Sequence, residues 1–481
     1  MSDATRLKGA TFIVVSQIAK LITQFLGLVI LSHLVAPEYF GHIALLVSIA
    51  SMLEILRDWG NTTKSLQRPQ TVNHLQDRMG WHKAAIFVGL IAVLLFISIA
   101  VLFFGFTSQE SLIAVVIVGS SLLANGLGAQ PNVQLVVEKR MLALSLIEIF
   151  AQIFAFAAGL TLAQAGFSLI GLAVQFAGLS WANALAKFSL FRFNIMGLTK
   201  NDVKSYFNGG WHLTGLASMS FISYNVDNLI LGLRFKPETL GFYSRAFQIY
   251  MVPVAQLIWP LEKLVLASAH EHKQKNVLQE ILLNLHVACT VFSGLAFTLI
   301  ASTSNFFVPV LLGEQWQASS YYLQILCIAG LFQVPNLLVH WLLLINQKNR
   351  TLFRLAVIRA LITTLCLVLF GMRAEGIPVG LAFASAVNWV VGSWFVIREN
   401  ITEDVRVFNA ITARILAAST LAFATQYFVT DSLGSATDAT KFAVKVALSI
   451  LLFMAATFIF GGPRTRQVLS HNPLKLLRKD S

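Results

Sequence analysis

Apolar stretches long enough to cross a lipid bilayer recur along the whole chain, and they decide its fold class. A helix needs roughly 20 apolar residues to cross the ~30 Å hydrocarbon layer. Fourteen such stretches are predicted, centred near residues 22, 48, 94, 121, 154, 179, 221, 250, 292, 332, 362, 387, 420 and 451. With 56% hydrophobic and 12% charged residues, the 481-residue chain has too little polar surface for a water-soluble globule. We therefore predict an all-α integral membrane protein with about 14 transmembrane helices.

The basic residues indicate a membrane topology rather than a nucleic-acid site, although the net charge is +13. If the amino terminus is cytoplasmic and the loops alternate between sides, the large majority of the 35 Lys and Arg residues lie on the cytoplasmic side. This asymmetry predicts that both termini are cytoplasmic, and no nucleic-acid partner is expected. The basic stretch Lys475–Lys479 is interpreted as a solvated tail, with contact to anionic lipid as the alternative.

A repeat at an offset of 200 residues indicates an internal duplication. The pattern P-E-x-x-G occurs at Pro37–Gly41 and again at Pro237–Gly241, each time directly after a long apolar segment. Six predicted spans separate the two copies, so both copies enter the membrane in the same direction and a parallel pseudo-two-fold repeat is expected. The predicted organisation is a six-helix lobe at 1–200, a second at 201–400, and two further helices with a basic tail at 401–481.

Lys20 is the most informative polar residue, because an ionised side chain near the bilayer centre costs on the order of 2.5–3.5 kcal/mol. It shares one predicted helical face with Ser16 or Gln17, with Thr23 or Gln24, and with Gly27. We interpret this stripe as the lining of a wet cavity. The alternatives are an ion pair with Glu148 inside its own lobe, or snorkelling toward water.

Further polar candidates lie on three other predicted spans. Tyr224 and Asp227 share a polar face on the seventh span, and Asp227 is a candidate proton or ion site or a gate partner, with a structural hydrogen bond as the alternative. Arg245 and Gln248 follow on the eighth span, where Arg245 either holds an anionic group, pairs with Asp227, or snorkels. Glu148 lies on a face with Ser145 and Gln152 and is the second candidate for ion or proton coupling.

Weaker candidates have ordinary structural explanations. These are the helix-end group Glu54, Arg57 and Asp58, the tenth-span group Gln333, Asn336 and His340, and the loop pair His270 and His272, for which a metal site is disfavoured. The sequence contains no P-loop, and Cys289, Cys327 and Cys366 fall in predicted spans, so neither ATP hydrolysis by that route nor a disulfide framework is expected. No cofactor is expected.

Several local motifs resemble one known family. They are Leu34–Gly41, Asp58-x-Gly60, Asp227 followed by Leu229–Gly232, Leu240–Ala246, and Trp259-Pro260. Together they are similar to the polysaccharide-transport (Wzx-type) lipid-linked oligosaccharide flippases of the MOP exporter superfamily, over about residues 8–275. Asn61 departs from the family pattern, in which an apolar residue is common at that position.

The resemblance implies a transporter and not an enzyme. Its implied substrate is an undecaprenyl-diphosphate-linked oligosaccharide, carried across the cell inner (plasma) membrane from the cytoplasmic to the periplasmic leaflet by alternating access. Membrane lipids, and a polysaccharide polymerase with its export machinery, are the implied partners. Lys20 and Arg245 then become candidates for binding the diphosphate and acidic sugars.

Two other functions stay open at this point. An ion-coupled multidrug or other lipid exporter of the same superfamily would use acidic residues such as Asp227 and Glu148. A membrane-embedded polysaccharide polymerase or ligase ranks last, because its expected large periplasmic loop is missing from the predicted topology.

Overall fold

The protein is built from helices throughout the part of the chain that the computed structural model describes, which is residues 20–67, 72–105, 108–191, 197–255, 275–399, 405–432 and 438–460. In chain order the helices are α1 Lys20–Leu34, α2 Pro37–Asp58, α3 Asn61–Gln67, α4 Val72–Phe104, α5 Gln109–Val137, α6 Met141–Gln164, α7 Ser168–Leu190, α8 Lys200–Phe207, α9 Trp211–Arg234, α10 Pro237–Pro253, α11 Lys275–Leu312, α12 Ser319–Ile345, α13 Asn349–Phe370, α14 Gly376–Arg398, α15 Val405–Ser432 and α16 Asp438–Phe460. A 3₁₀ turn at Glu314–Trp316 separates α11 from α12. The all-α prediction is confirmed.

Every predicted span centre falls inside one of these helices. Within the described residues, ten helices are long and apolar enough to cross a membrane: α2, α4 to α7, α11 to α14 and α16. Helix α9 has 24 residues, but serine, asparagine and aspartate side chains lower its hydropathy, while α10 is only 17 residues long. The total of fourteen spans stays a prediction.

The outward faces of the spans are apolar, as a lipid environment requires. In α4, Leu94 is 67% exposed and Leu95 is 48% exposed, although the same helix buries Phe96 completely. In α13, Leu361 and Leu369 are likewise exposed, while Leu355 and Leu367 are buried. These two helices therefore pack some apolar side chains against their neighbours and leave others exposed, as expected for a surface that faces lipid.

The chain divides into two compact units, Met1–Gly241 and Phe242–Ser481, and the division falls within α10. In the first unit, α7 packs on both α5 and α6, α4 packs on α5, and α2 packs on α9. In the second unit, α12 packs on α11 and α14, and the last two helices pack on each other and on α11. The lobe limits at 200 and 400, and the parallel two-fold relation, stay predictions.

The two copies of P-E-x-x-G begin helices and touch each other within the first unit. Pro37 starts α2 and Pro237 starts α10, where the missing N–H of proline has no cost. Gly41 lies so close to the carbonyl of Pro237 that an added Cβ would overlap its oxygen, and Gly241 lies equally close to the carbonyl of Pro37. The repeated glycines therefore permit a reciprocal backbone contact.

Candidate functional site

A charged cavity of about 460 Å³ lies within the first unit. Five helices contribute to it, namely the end of α2, the start of α3, the second half of α5, the first half of α6 and the second half of α7. Its lining residues are Glu54, Arg57, Asp58, Thr62, Ala124, Asn125, Gly128, Ala129, Asn132, Glu148, Ser180, Asn183, Ala184 and Lys187. Ionic and amide side chains alternate with small residues, which leaves room for a polar ligand.

Glu148 connects basic side chains from two different helices. The Lys20 ammonium donates to its Oε2 atom, so α1 and α6 are joined by an ion pair. The Oε1 atom of Glu148 lies 4.0 Å from Nζ of Lys187 on α7. Lys187 also donates to Oδ1 of Asn132 on α5, at 3.0 Å. The structure therefore contains the ion pair with Glu148 that was the first alternative for Lys20. Glu148 lines the cavity, so the pair lies next to it.

Arg57 brings a deeply buried guanidinium to the cavity wall. Its side chain is 2% exposed and is held by Glu54 of the same helix, with Nη2 donating to Oε1 at 2.6 Å and Nε donating to Oε2 at 3.1 Å. The third nitrogen, Nη1, is buried and has no hydrogen-bond partner among the described residues. A buried guanidinium N–H without a partner is costly, so Arg57 contributes a positive charge to the cavity wall rather than an open donor atom.

The main chain around Arg57 is fixed from outside the cavity by α8. Tyr206 of α8 is 1% exposed, and its hydroxyl donates to the Arg57 carbonyl. Burial raises the pKa of Tyr206 to about 12, so the hydroxyl stays protonated and remains a donor at physiological pH. Trp81 of α4 donates to Ser205 Oγ at 2.9 Å, which holds α8 in place.

The turn between α2 and α3 explains Asn61, the departure from the family pattern. Asn61 is 2% exposed, and its amide donates to the Asp58 carbonyl at 2.9 Å, which caps the end of α2. Asp58 in turn accepts from the Thr62 hydroxyl at 2.6 Å. An asparagine here has a local structural role next to the cavity lining.

Asn183 adds a polar amide side chain to the cavity lining. Its amide nitrogen donates to the Leu179 carbonyl at 2.9 Å, whereas its Oδ1 is buried without a partner among the described residues. The wall thus combines the positive charge of Arg57, the amide side chain of Asn183 and the ammonium of Lys187. That combination suits a ligand that carries both an anionic group and hydroxyl groups.

The carboxylates of the cavity are already engaged. Glu54 accepts from Arg57, Asp58 accepts from Thr62, and Glu148 accepts from Lys20. The Lys187 ammonium, in contrast, donates to the neutral Asn132 at 3.0 Å and lies 4.0 Å from the nearer oxygen of Glu148. The geometry therefore favours an anion over a cation, even though acidic and basic groups are similar in number.

The other predicted site residues lie outside the lining of this cavity. Gln24 on α1 and Tyr224 on α9 are exposed. Asp227 is 2% exposed, and its Oδ1 accepts from the backbone N–H of Asn228 at 2.8 Å. In the second unit, Arg245 is buried, donates to Gln248 at 2.6 Å, and lies 5.9 Å from the ring of Trp316. A pairing of Asp227 with Arg245 stays a prediction.

Several weaker candidates connect helices of the second unit. The Tyr250 hydroxyl donates to Gln333 Oε1, which joins α10 to α12. Asn336 donates to the Ser385 carbonyl at 3.1 Å and accepts from Arg359 at 3.1 Å.

The three cysteines are buried free thiols. Ser16, Gln17, Trp259, Pro260, His270, His272 and the tail Lys475–Lys479 lie outside the described residues.

The sequence patterns do not single out Lys187, Asn183 and Asn132, although all three line the cavity. The alternation of loops assigns Lys187 to a cytoplasmic loop, whereas it lies on α7 near the helix end. A usable signal exists, because Ser180, Asn183 and Lys187 recur at helical spacing and form one polar stripe. Asn125 and Asn132 make a matching stripe on α5.

Curated relatives of known name match parts of the chain. Teichuronic acid biosynthesis protein TuaB of Bacillus subtilis (strain 168) is 25% identical over 299 residues, which cover 59% of this chain and 60% of that protein. Lipopolysaccharide biosynthesis protein WzxC of Escherichia coli (strain K12) is 26% identical over 178 residues, or 36% of each chain. The matched segments thus span less than two thirds of either relative.

Solved structures of two kinds share the fold. A lipid II flippase MurJ in an inward closed conformation superposes with a TM-score of 0.70 at 17% identity, covering 95% of this chain and 100% of that one. A multidrug resistance MATE family transporter of the MOP superfamily, in an inward-facing conformation, gives a TM-score of 0.60 at 13% identity over 81% of this chain and 95% of that chain. These likenesses establish the fold.

The family itself is shown by a match over more than half of the chain. The sequence model of the family described as "polysaccharide biosynthesis protein" matches residues 30–321 of the 481 residues. This segment contains the cavity, both P-E-x-x-G copies and the motifs that carry the Wzx-type resemblance, so that resemblance is confirmed. The chain belongs to the polysaccharide biosynthesis protein family.

Proposed function

We propose that this protein is a flippase that moves a polyprenyl-diphosphate-linked oligosaccharide, a surface polysaccharide repeat unit, across the membrane. Transport runs from the cytoplasmic to the periplasmic leaflet of the inner membrane by alternating access, with both protein termini in the cytoplasm. The family, the names of the matched relatives and the fold shared with a lipid II flippase support this proposal. No covalent bond is made or broken.

The observation that carries the proposal is a pair of cationic side chains in a cavity whose carboxylates already accept hydrogen bonds from the protein. Arg57 and Lys187 lie in the same wall, and the Lys187 side chain is 10% exposed. Phosphate oxygens are strong acceptors for both groups, and amide side chains such as Asn183 suit sugar hydroxyls. The polyprenyl tail stays in the bilayer while the headgroup occupies the cavity.

A second candidate is export of cationic drugs, which the carboxylates Glu54, Asp58 and Glu148 in the cavity wall would favour. Each of these carboxylates accepts hydrogen bonds from a protein group, so a cationic ligand would first have to break them. The flippase is therefore the better supported function.

The proposal is tested by replacing Lys20 with glutamine in cells that make the polysaccharide. Lys20→Gln removes a positive charge beside the cavity, and a loss of about 1.4 kcal/mol in headgroup binding corresponds to about a tenfold effect. Surface polysaccharide should fall by about that factor while the protein remains in the membrane. Lys139→Gln, at an exposed site, is the matched control and should export normally. Normal export by a well-expressed Lys20→Gln variant would refute a role for this cavity.

A further inference from the structure

Glu148 differs from the other two carboxylates of the cavity in the origin of its partners. Glu54 bonds to Arg57 on its own helix, and Asp58 bonds to Thr62 across the adjoining turn. Glu148 on α6 instead reaches Lys20 on α1 and approaches Lys187 on α7 at 4.0 Å. Its contacts therefore connect three helices.

The exposed fractions show which member of this cluster is most accessible. The Glu148 side chain is 33% exposed, while Lys20 is 17% and Lys187 is 10% exposed. A carboxylate at the cavity surface rehydrates more easily than either ammonium group. An incoming anion would thus displace the carboxylate rather than dislodge the lysines.

The groups facing this cluster provide anchors for such an anion. Asn132 of α5 holds the Lys187 ammonium at 3.0 Å, so Lys187 keeps its position when the carboxylate leaves. An ammonium has three N–H donors, and the bond to Asn132 uses one of them. Arg57 on α2 and Asn183 on α7 belong to the same wall and complete a set of polar groups around the cavity.

We propose that Glu148 is an exchangeable internal counter-anion, which occupies Lys20 and Lys187 when the headgroup is absent and gives them up to the diphosphate of the substrate. This proposal rests on the proposed function. A diphosphate carries more negative charge and more acceptor atoms than a carboxylate, so it competes successfully for the two ammonium groups and Arg57 together.

The exchange has a consequence for release. Because Glu148 remains next to both lysines, its carboxylate competes with the bound diphosphate for their ammonium groups. Binding is weaker than the cationic groups alone would give, which allows the headgroup to leave on the other side of the membrane. Lys187 is then a substrate-binding residue, because its ammonium contacts the diphosphate directly.

The test is calorimetric titration of inorganic pyrophosphate into the purified full-length protein at low ionic strength, where charge interactions are least screened. Glu148→Gln removes the competing anion but keeps the side-chain size, so pyrophosphate should bind about tenfold more tightly than to the wild type. The double variant Glu148→Gln with Lys187→Gln should lose that gain. Glu138→Gln is the matched control, because Glu138 forms an exposed pair with Arg140 at 3.6 Å outside the cavity lining.

Unchanged or weaker pyrophosphate binding by folded Glu148→Gln would overturn the proposal. If that variant does not fold, Glu148→Asp replaces it: the shorter carboxylate reaches the lysines less well, so binding should tighten severalfold, and a lack of tightening again contradicts the exchange. A prenyl diphosphate titrated in parallel distinguishes a lipid headgroup, which should bind better than free pyrophosphate, from recognition of the inorganic ion alone. Orthophosphate, with fewer acceptor atoms, should bind more weakly.

Failure of the counter-anion proposal can be distinguished from failure of the proposed transport function. If the wild type flips the lipid-linked oligosaccharide in vesicles but Glu148→Gln leaves pyrophosphate affinity unchanged, the counter-anion proposal fails alone. If Glu148→Gln tightens pyrophosphate binding but the wild type flips nothing, the cavity binds diphosphates and the proposed transport fails.

Discussion

Gly41 and Gly241 occupy positions at which a single methyl group would collide with backbone. A Cβ on Gly41 would overlap the Pro237 carbonyl oxygen, and a backbone carbonyl cannot move aside as the flexible end of a side chain can. Gly41→Ala should therefore destabilise the protein by about 1–3 kcal/mol or prevent assembly of the first unit. Thermal unfolding in detergent measures the loss.

Gly178→Ala is the matched control for that substitution. It also adds one methyl group to a glycine in a helix of the first unit, but the nearest atoms would be 3.8 Å away, at ordinary contact distance. A melting temperature of Gly41→Ala equal to that of Gly178→Ala would show that the two repeat segments do not form the contact described above.

Single residues of the site were partly predictable. Lys20 and Glu148 stand out in the sequence because ionised groups inside apolar helices are expensive, and the structure brings the two together. Lys187 does not stand out, because a lysine near a helix end is normally explained by topology. Its importance depends on Asn132 and Glu148, which come from other helices, and such pairings across helices are not encoded in local spacing.

Among the helices, α8 fixes the wall of the cavity from behind. Tyr206→Phe removes the hydroxyl that donates to the buried Arg57 carbonyl, so we expect a loss of about 1 kcal/mol of stability, read from thermal unfolding. The pKa of Tyr206, about 12, lies above the ordinary value of 10.0. Its contribution to stability is therefore complete below about pH 10 and is lost as the pH rises toward 12.

The pH dependence supplies the control for this substitution. Wild-type protein should lose additional stability between about pH 10 and 12, and Tyr206→Phe should lack that component. Trp81 still donates to Ser205 in the variant, so α8 stays in place. Equal alkaline profiles for the two proteins would contradict the raised pKa of Tyr206 and the burial of its hydroxyl.

The long helices were predictable and the short ones were not. Runs of apolar residues are sufficient to locate helices such as α5 and α12, because length and hydropathy alone define a span. Helices α3 and α8 have 7 and 8 residues and carry no such signal. Thr199 and Asp202 do form a capping box at the start of α8, a local pattern from which its beginning can be predicted.

Across the chain, the repeat specifies the scaffold, whereas the candidate site breaks the symmetry. The matched positions Gly41 and Gly241 lie at a backbone contact. At the same offset of 200, Lys20 corresponds to Ser220 and Glu148 corresponds to Lys348, so the ion pair has no counterpart in the second copy. The Lys20–Glu148 pair therefore lies at positions that the repeat does not match, which suits a substrate with one charged end.

The most direct test of transport through the cavity is the rate at which purified protein in lipid vesicles flips a polyprenyl-diphosphate-linked oligosaccharide. The wild type should flip the lipid, and Lys187→Gln should flip it about tenfold more slowly, because the variant lacks a cationic donor of the cavity wall. A tenfold difference in rate corresponds to about 1.4 kcal/mol in free energy. Lys200→Gln, at an exposed position on α8, should flip at the wild-type rate. Flipping by Lys187→Gln at the wild-type rate, with the protein folded, would contradict the claim that the diphosphate passes through this cavity.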